Sequence, residues 1–336
     1  MTRRERVFAA IRHEKTDIVP YNIGLTGNEA KVLAAYFRDG NLDKRLGNHI
    51  RVEWYGGNLV EIREGSRVFR DEFGIVWDKS GLEADIGVVD GTRLEEPSME
   101  GFPYAKVYEE QWRKQLQALA DSTEDVIKFP AIGFSLFDRA WTFRGVENFL
   151  VDMISEPEFT EELLDFILQY HLRVIDIALE YDIDGIHFAD DWGQQRGLVM
   201  GPALWRKYIR PRTAAMYERV KRKGKIVSQH SCGDNHEIFP DLVEIGLDIY
   251  QTLQPEIYDL AKIKREFGRD LSFWGGISTQ RLLPFGTPEE VKAQVRETLS
   301  LMSEGGGYIA GPAHDIVEGT PPENVEALLE VLSRQQ

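Results

Sequence analysis

The residues best suited to chemistry lie in the segment 225–254, KIVSQHSCGDNHEIFPDLVEIGLDIYQTLQ, where His230 and the single cysteine of the chain, Cys232, stand two positions apart and Gly233 follows. The apolar start of this segment reads as a buried strand and the residues after the glycine as a helix start. An imidazole and a thiol are therefore expected at the carboxyl end of a strand, where α/β barrels keep their reactive groups. One chemistry open to such a pair is zinc binding, which for catalysis needs a third protein ligand and an open position. His314, at the end of a later strand, is a candidate third ligand, as are Asp190 and Asp191. The plainer alternative makes Cys232 a small buried side chain and His230 a hydrogen-bonded residue of the rim. Nucleophilic catalysis by Cys232 with His230 as base has the same-face spacing it needs, but no third, orienting group is evident.

Asp190 and Asp191 offer a second chemistry, since paired carboxylates in a pocket split their pKa values and hold a proton for acid/base work. Neighbours on an extended stretch point to opposite sides, so one is expected to face the pocket and the other to cap the next turn. Phe134, Trp141, Trp192 and Trp274 are candidates for apolar walls, and Arg139, Arg144 and Arg196 for a carboxylate clamp. Gln254 and Glu256 complete the polar groups expected near the rim. The other histidines have blander readings. His187 is expected inside a strand as a satisfied core residue, while His13, His49 and His171 are expected at the surface and His236 beside a helix start.

The elements that must position these groups alternate. Apolar runs at 126–132, 185–189, 225–228, 247–250, 271–274 and 308–310 read as strands, with amphipathic helices such as 157–181, 203–223 and 288–303 between them. That order demands parallel strands joined by right-handed crossovers. A helix at 3–12, a first strand at 17–21 and a further early strand bring the count to eight, a (β/α)8 TIM barrel. A doubly wound sheet is disfavoured, because no Gly-x-Gly-x-x-Gly follows the first strand and Gly305-Gly306-Gly307 precedes a strand rather than a helix. Between the early elements lie a helix near 30–37, a hairpin-like run at 61–77 and a Pro/Gly/Glu-rich passage at 95–103. The region of about 60–125 is read as an insertion or lid on a single domain covering 1–336.

Composition bounds the rest. With 336 residues, 42% apolar content and a formal charge of −16, the chain is expected to form a large core and to bind neither nucleic acid nor an anionic membrane, both of which require basic patches. One cysteine excludes an internal disulfide framework and suits a reducing compartment, and no secretory signal is recognised at the amino terminus, so a cytoplasmic protein is expected. A homodimer is the prior for a soluble enzyme.

The runs Gly133-Phe134-Ser135-Leu136-Phe137-Asp138, Gly145-Val146-Glu147-Asn148-Phe149-Leu150 and Glu156-Pro157-Glu158 resemble the uroporphyrinogen decarboxylase superfamily. So do His230-Ser231-Cys232-Gly233, the stretch from Asp241 to Asp248, Leu253-Gln254-Pro255, Trp274-Gly275-Gly276-Ile277 and Gly307-Tyr308-Ile309. The resemblance covers roughly the last two hundred residues. It implies a barrel with its site at the strands' carboxyl end, and one of two activities. Decarboxylases of this superfamily act on uroporphyrinogen III and carry an amino-terminal arginine-rich signature of the Met-Arg-Gln-Ala-Gly-Arg type. Here the corresponding stretch, Ile18 to Thr26, has no arginine. A porphyrinogen with many carboxylates would be poorly held without such forks. The methyltransferase branch is similar at His230-x-Cys232, where it binds zinc. It moves a methyl group between a small substrate and a thiol or a corrinoid carried by a partner protein. That branch has a further cysteine near the last strand, where this chain has His314. The resemblance thus implies zinc on His230, Cys232 and His314, with Asp190 or Asp191 as acid/base or fourth group, and a substrate shaped by Phe134, Arg139, Trp192, Arg196, Gln254 and Trp274. Decarboxylation is the alternative, and a barrel that only binds a ligand is the third.

Overall fold

Seven runs rich in Ile, Val, Phe, Tyr and Trp form a single parallel sheet in the computed structural model, which describes residues 1–38, 40–81, 86–103 and 105–335. They are β1 (Ile50–Trp54), β2 (Ile127–Ile132), β3 (Gly185–Ala189), β4 (Ile226–His230), β5 (Ile249–Leu253), β6 (Ser272–Ile277) and β7 (Tyr308–Pro312), hydrogen-bonded in that order. The sheet curls until its two edges approach the same segment. Asn22 N donates to Ala310 O at 2.9 Å, and His49 N, just before β1, donates to Tyr21 O at 3.0 Å. Closure therefore rests on isolated bridges at Tyr21 and Leu25 instead of an eighth continuous strand.

Two expectations are corrected here. Residues 17–21 do not form a strand, and the ring is a curled seven-stranded sheet and not a fully closed eight-stranded barrel. The further early strand that was expected is β1. Its run Ile50-Arg51-Val52-Glu53-Trp54 alternates polar and apolar residues, as an edge partner half-covered by other elements does.

The helix Arg3–Ile11 begins in a capping box between Thr2 and Glu5. Its Val7 packs with Ile50, Ile127, Phe129, Ile226, Ile249 and Ile309, so the helix plugs the amino-terminal end of the sheet. The remaining helices cover the outer face. The longest, Pro157–Ala178, starts with proline at its first turn and buries Leu163, Leu164, Ile167, Val174 and Ile175. The helix expected over 203–223 is interrupted by a π-helical turn, Trp205–Ile209. It ends just before Arg210-Pro211, where proline supplies no N–H for an ordinary helical bond.

Between β1 and β2 the chain makes an excursion. Short strands Val60–Glu61, Val68–Arg70, Val76–Asp78 and Val88–Val89 pair antiparallel. Asp71 organises the turn between the second and third. Its Oδ1 accepts from Phe73 N at 3.0 Å and Ile75 N at 2.9 Å, and its Oδ2 accepts from Trp77 Nε1 at 3.0 Å and from Arg139 Nη1 at 2.7 Å. This buried pair ties the excursion to the rim of the sheet.

Candidate functional site

His230 ends β4, and Gln251 sits opposite it on β5. The His230 Nδ1 is hydrogen-bonded to Gln251 Oε1, an acceptor, so Nδ1 carries the proton and Nε2 presents its lone pair. That lone pair faces Cys232 Sγ at 3.5 Å. His314, two residues beyond β7, brings its ring centroid to 5.5 Å from that of His230. Ligand atoms of His230, Cys232 and His314 all lie within 4.8 Å of one another. One sulfur and two imidazole nitrogens at this spacing match the donor set of a catalytic zinc site with a fourth position to spare.

The two adjacent aspartates part company. Asp191 turns to the cavity, where its Oδ1 accepts from Cys232 N at 2.7 Å and lies 3.7 Å from His230 Nε2. Asp190 turns the other way and is fully buried. It accepts from the N–H groups of Leu136, Phe137 and Asp138 at 3.1, 3.0 and 2.9 Å, capping the helix Phe137–Arg144, and from Trp192 Nε1 at 2.6 Å. Burial lifts its pKa to about 6 against the pull of those donors. Asp138 accepts from Asp191 N at 2.8 Å and Trp141 Nε1 at 2.9 Å. Burial, reinforced by the charges of Asp190 and Asp191, holds its carboxyl well above the usual range. Burial also raises the Cys232 thiol pKa, with Asp191 adding to the effect, so without a cation the sulfur is protonated.

These groups open on a cavity of about 1450 Å³ bordered by both the rim and the excursion. Phe134, Arg139, Asp191, His230, Trp274 and His314 line it, together with Trp54, Trp77 and His187. His187 lies one layer below His230, with Nδ1 2.8 Å from Ser228 Oγ and ring contacts to Trp54 at 5.8 Å and Trp274 at 5.5 Å. Burial pushes its pKa down to about 3, so it is neutral.

Several expected positions fall elsewhere. Asp190 and Trp192 are internal supports, bonded to each other beneath the rim. Gln254 is buried, with Oε1 accepting from Gly233 N at 2.9 Å, so it shapes the loop after Cys232 and not the cavity wall. Arg196 is exposed at the turn between the two-residue strands Gly193–Gln194 and Gly197–Leu198. Arg144 is buried against Asp152 at 2.6 Å. His171 and His49, expected at the surface, are both buried. His171 lines the cavity with Nε2 3.3 Å from Phe134 O, and His49 packs on Tyr21. The sequence reading gave no site role to His187, Trp54 or Trp77. The alternation in Gly185-Ile186-His187-Phe188-Ala189 was the available signal for the first, because His187 falls on the inward side two residues before the strand end.

A parallel sheet with its polar groups gathered at the carboxyl ends of the strands defines a scaffold of the α/β-barrel enzyme class. The chain belongs to the uroporphyrinogen decarboxylase (URO-D) family, whose model matches residues 104–335. Among its relatives, the methylated-thiol–coenzyme M methyltransferase of Methanosarcina mazei is 23% identical over 191 residues, which are 57% of this chain and 49% of that protein. This chain thus spans about half the length of that relative. A uroporphyrinogen decarboxylase of Neisseria meningitidis is 24% identical over 263 residues, 75% of this chain and 69% of the other. The solved structure of a methyltransferase from Methanosarcina mazei superposes with a TM-score of 0.76 at 20% identity, covering 100% of this chain and 99% of that one, which establishes a shared fold. Among the described residues, no helix is long and apolar enough to cross a membrane.

Proposed function

We propose that the protein is a methyltransferase whose metal centre is His230, Cys232 and His314, and the observation that carries this reading is the convergence of their three ligand atoms within 4.8 Å. The donor set fits zinc, and when bound zinc would supply Lewis acidity and hold a thiol as thiolate near neutral pH. The protein's own groups do the rest. Gln251 fixes the His230 ring so that Nε2 faces the site. Asp191, tied to Cys232 N, holds the loop that carries the sulfur and stands ready to take the proton that a ligating thiol gives up. Trp274, His187 and Phe134 exclude water from the floor and wall, which strengthens charge interactions inside. Methyl transfer is an in-line displacement and asks the scaffold mainly for position. The partner expected to exchange the methyl group is a small thiol or a corrinoid carried by a second protein docked over the rim.

Porphyrinogen decarboxylation needs cationic forks for carboxylates, and the three arginines expected to provide them do not. Arg139 is paired with Asp71, Arg144 with Asp152, and Arg196 lies off the cavity. The test is elemental analysis of the purified protein and of Cys232→Ser. One zinc per chain in the first and loss of it in the second is the expected result. Wild-type protein that neither contains nor takes up zinc ends the proposal, and turnover of uroporphyrinogen would put decarboxylation in its place.

A further inference from the structure

The strands flanking β4 each present a hydrogen-bond donor that the triad of His230, Cys232 and His314 does not use. His187 of β3 stands opposite Ser228, and Gln251 of β5 stands opposite His230. Ser228 is fully buried, and the one partner of its hydroxyl among the described residues is His187 Nδ1 at 2.8 Å. A buried hydroxyl gives its proton to the acceptor within reach, so Nδ1 accepts. Burial keeps the ring neutral, and its single proton is therefore on Nε2. That N–H has no acceptor among the described residues, and His187 lines the cavity. Gln251 is in the same condition. Its Oε1 accepts from His230 Nδ1, which leaves the two amide protons without an acceptor among the described residues, and it also lines the cavity. Both donors are tied to the triad, Gln251 by its bond to the His230 ring and His187 by a ring separation of 6.4 Å from it.

Donors left over beside a metal-binding triad call for an acceptor atom on the ligand, and oxygen suits them best. A thioether sulfur accepts weakly, and a quaternary ammonium has no lone pair to offer. The wall around them is aromatic. Trp54, Trp77 and Phe134 line it, and Trp54 at the end of β1 is 48% exposed, so a flat apolar body has rings to pack on. We infer that the cavity binds an aryl methyl ether, with the ether oxygen accepting from His187 Nε2–H and the Gln251 amide. The inference deepens the methyl-transfer reading and rests on it for the fate of the ligand. There, the bond from oxygen to the methyl carbon breaks with its electron pair left on oxygen, while a sulfur pair of the acceptor thiolate forms the new bond to that carbon. The two donors meet the charge that grows on the departing oxygen. The proton lost by the acceptor thiol ends on the phenoxide, whose conjugate acid has a pKa of about 10, so a phenol and a methyl thioether are the products. Binding itself needs no transfer step.

The test uses the full chain, with and without added zinc. Long-range nitrogen NMR should find His187 protonated on Nε2 and unprotonated on Nδ1, a preference that Ser228→Ala should weaken. Anisole, thioanisole and ethylbenzene, which place oxygen, sulfur and CH2 at one position, are the binding probes, read by tryptophan fluorescence. Anisole should bind more tightly than thioanisole, although it is the less apolar of the two, and should move the His187 Nε2–H resonance. The ratio of anisole to ethylbenzene affinity should fall about fivefold or more in His187→Phe and be largely kept in His187→Gln. In Ser228→Ala it should fall by a smaller factor. His187→Phe enlarges a buried side chain, so circular dichroism checks its fold, and Ser228→Ala carries the same comparison if that variant does not fold. His187 protonated on Nδ1, thioanisole bound as tightly as anisole, or an affinity ratio that neither variant moves overturns the inference. So does a failure of anisole to saturate at millimolar concentration. The two readings fail separately. Zinc held on His230, Cys232 and His314 with an unmoved ratio removes only the ligand class, whereas a ratio set by His187 in a chain that takes up no zinc keeps the oxygen site and removes methyl transfer.

Discussion

On the side of the cavity built by β4 and β7, His230, Cys232 and His314 bring their donor atoms within 4.8 Å of one another, and the His230 nitrogen approaches the Cys232 sulfur at 3.5 Å. On the side built by the excursion, Asp71 receives four donors, and Arg139 is stacked among aromatic rings as well as paired. Both sides are polar; on the first His314 is exposed and lines the cavity with His230, whereas on the second Asp71 is buried and matched by its donors. The difference is that between groups held for a ligand and groups that hold the protein together. A buried polar group that is matched holds its partners satisfied, and its loss leaves them unpaired, whereas donor atoms converging at a cavity wall are available to a ligand. Removing groups from the saturated region should therefore cost folding energy, and removing groups from the unsaturated one should cost ligand and little stability.

Asp190 gives the largest expected effect. It is a rim residue by sequence but a saturated one by structure, with three backbone donors and one indole on a fully buried carboxylate. Asp190→Ala leaves those donors unpaired and uncaps the helix that carries Asp138 and Arg139. The expected loss is about 3 kcal/mol or more in urea unfolding. A loss of under about 1 kcal/mol would mean that the helix start is held by something else and that the division drawn here is misplaced.

Arg139→Ala comes next. It leaves the Asp71 carboxylate buried without its cation, although Phe73 N, Ile75 N and Trp77 Nε1 still satisfy part of it. About 2–3 kcal/mol is expected. Zinc content should be unchanged, because the pair does not touch the triad. The double variant with Asp71→Asn should recover part of the loss, and a double-mutant cycle reads the coupling directly.

Glu29 sharpens the comparison from a third place. It is buried near the start of the helix Gly27–Phe37, and neither carboxylate oxygen has a hydrogen-bond partner. Burial, with the charge of Glu318 added, lifts its pKa from the ordinary 4.5 to about 7. The folded protein therefore keeps a proton that the unfolded chain releases, and stability from this group falls as pH rises from 4.5 through 7. Glu29→Gln cannot ionise. It should make the protein more stable than wild type at pH 8 by about 1 kcal/mol, a value discounted for solvent screening near the helix end, with the gain vanishing below pH 4.5. Parallel stability curves for the two proteins across that window would show that Glu29 is not protonated in the fold.

The sheet was legible in the chain because a strand buried on both faces writes a short apolar run bounded by breakers, and six of the seven wrote one. β1 did not. It lies between polar neighbours, with Arg51 and Glu53 on one face, and its burial depends on elements far away in sequence. The site was legible to the level of the rim and no further. That His230 ends a strand and Cys232 follows it at the rim is legible from local pattern. That Gln254 faces Gly233, or that Arg144 folds back on Asp152, depends on which neighbour lies within reach, and residue type alone does not tell a clamp from a strut. Arg139 illustrates the limit. Its expected role needed a free fork, and the fork's partner, Asp71, lies 68 residues earlier in the run read as a hairpin, whose approach to the rim no local signal announced.

The smallest expected effect on folding is at the triad, and it is the most telling. In the protein without metal, the Cys232 thiol is protonated and meets the His230 ring at 3.5 Å beside the Asp191 and Thr252 side chains. Serine differs by a single atom and can make the same contact, so Cys232→Ser should change metal-free stability by less than about 1 kcal/mol. Zinc should stabilise wild type by an increment that grows with free metal, as any ligand bound only by the folded state does, and should leave the variant where it was. Thermal unfolding of both proteins with and without zinc measures the two quantities in one series. A large loss in the metal-free variant would place Cys232 among the saturated groups, with Asp71 and Asp190, and the two sides of the cavity would no longer differ in kind.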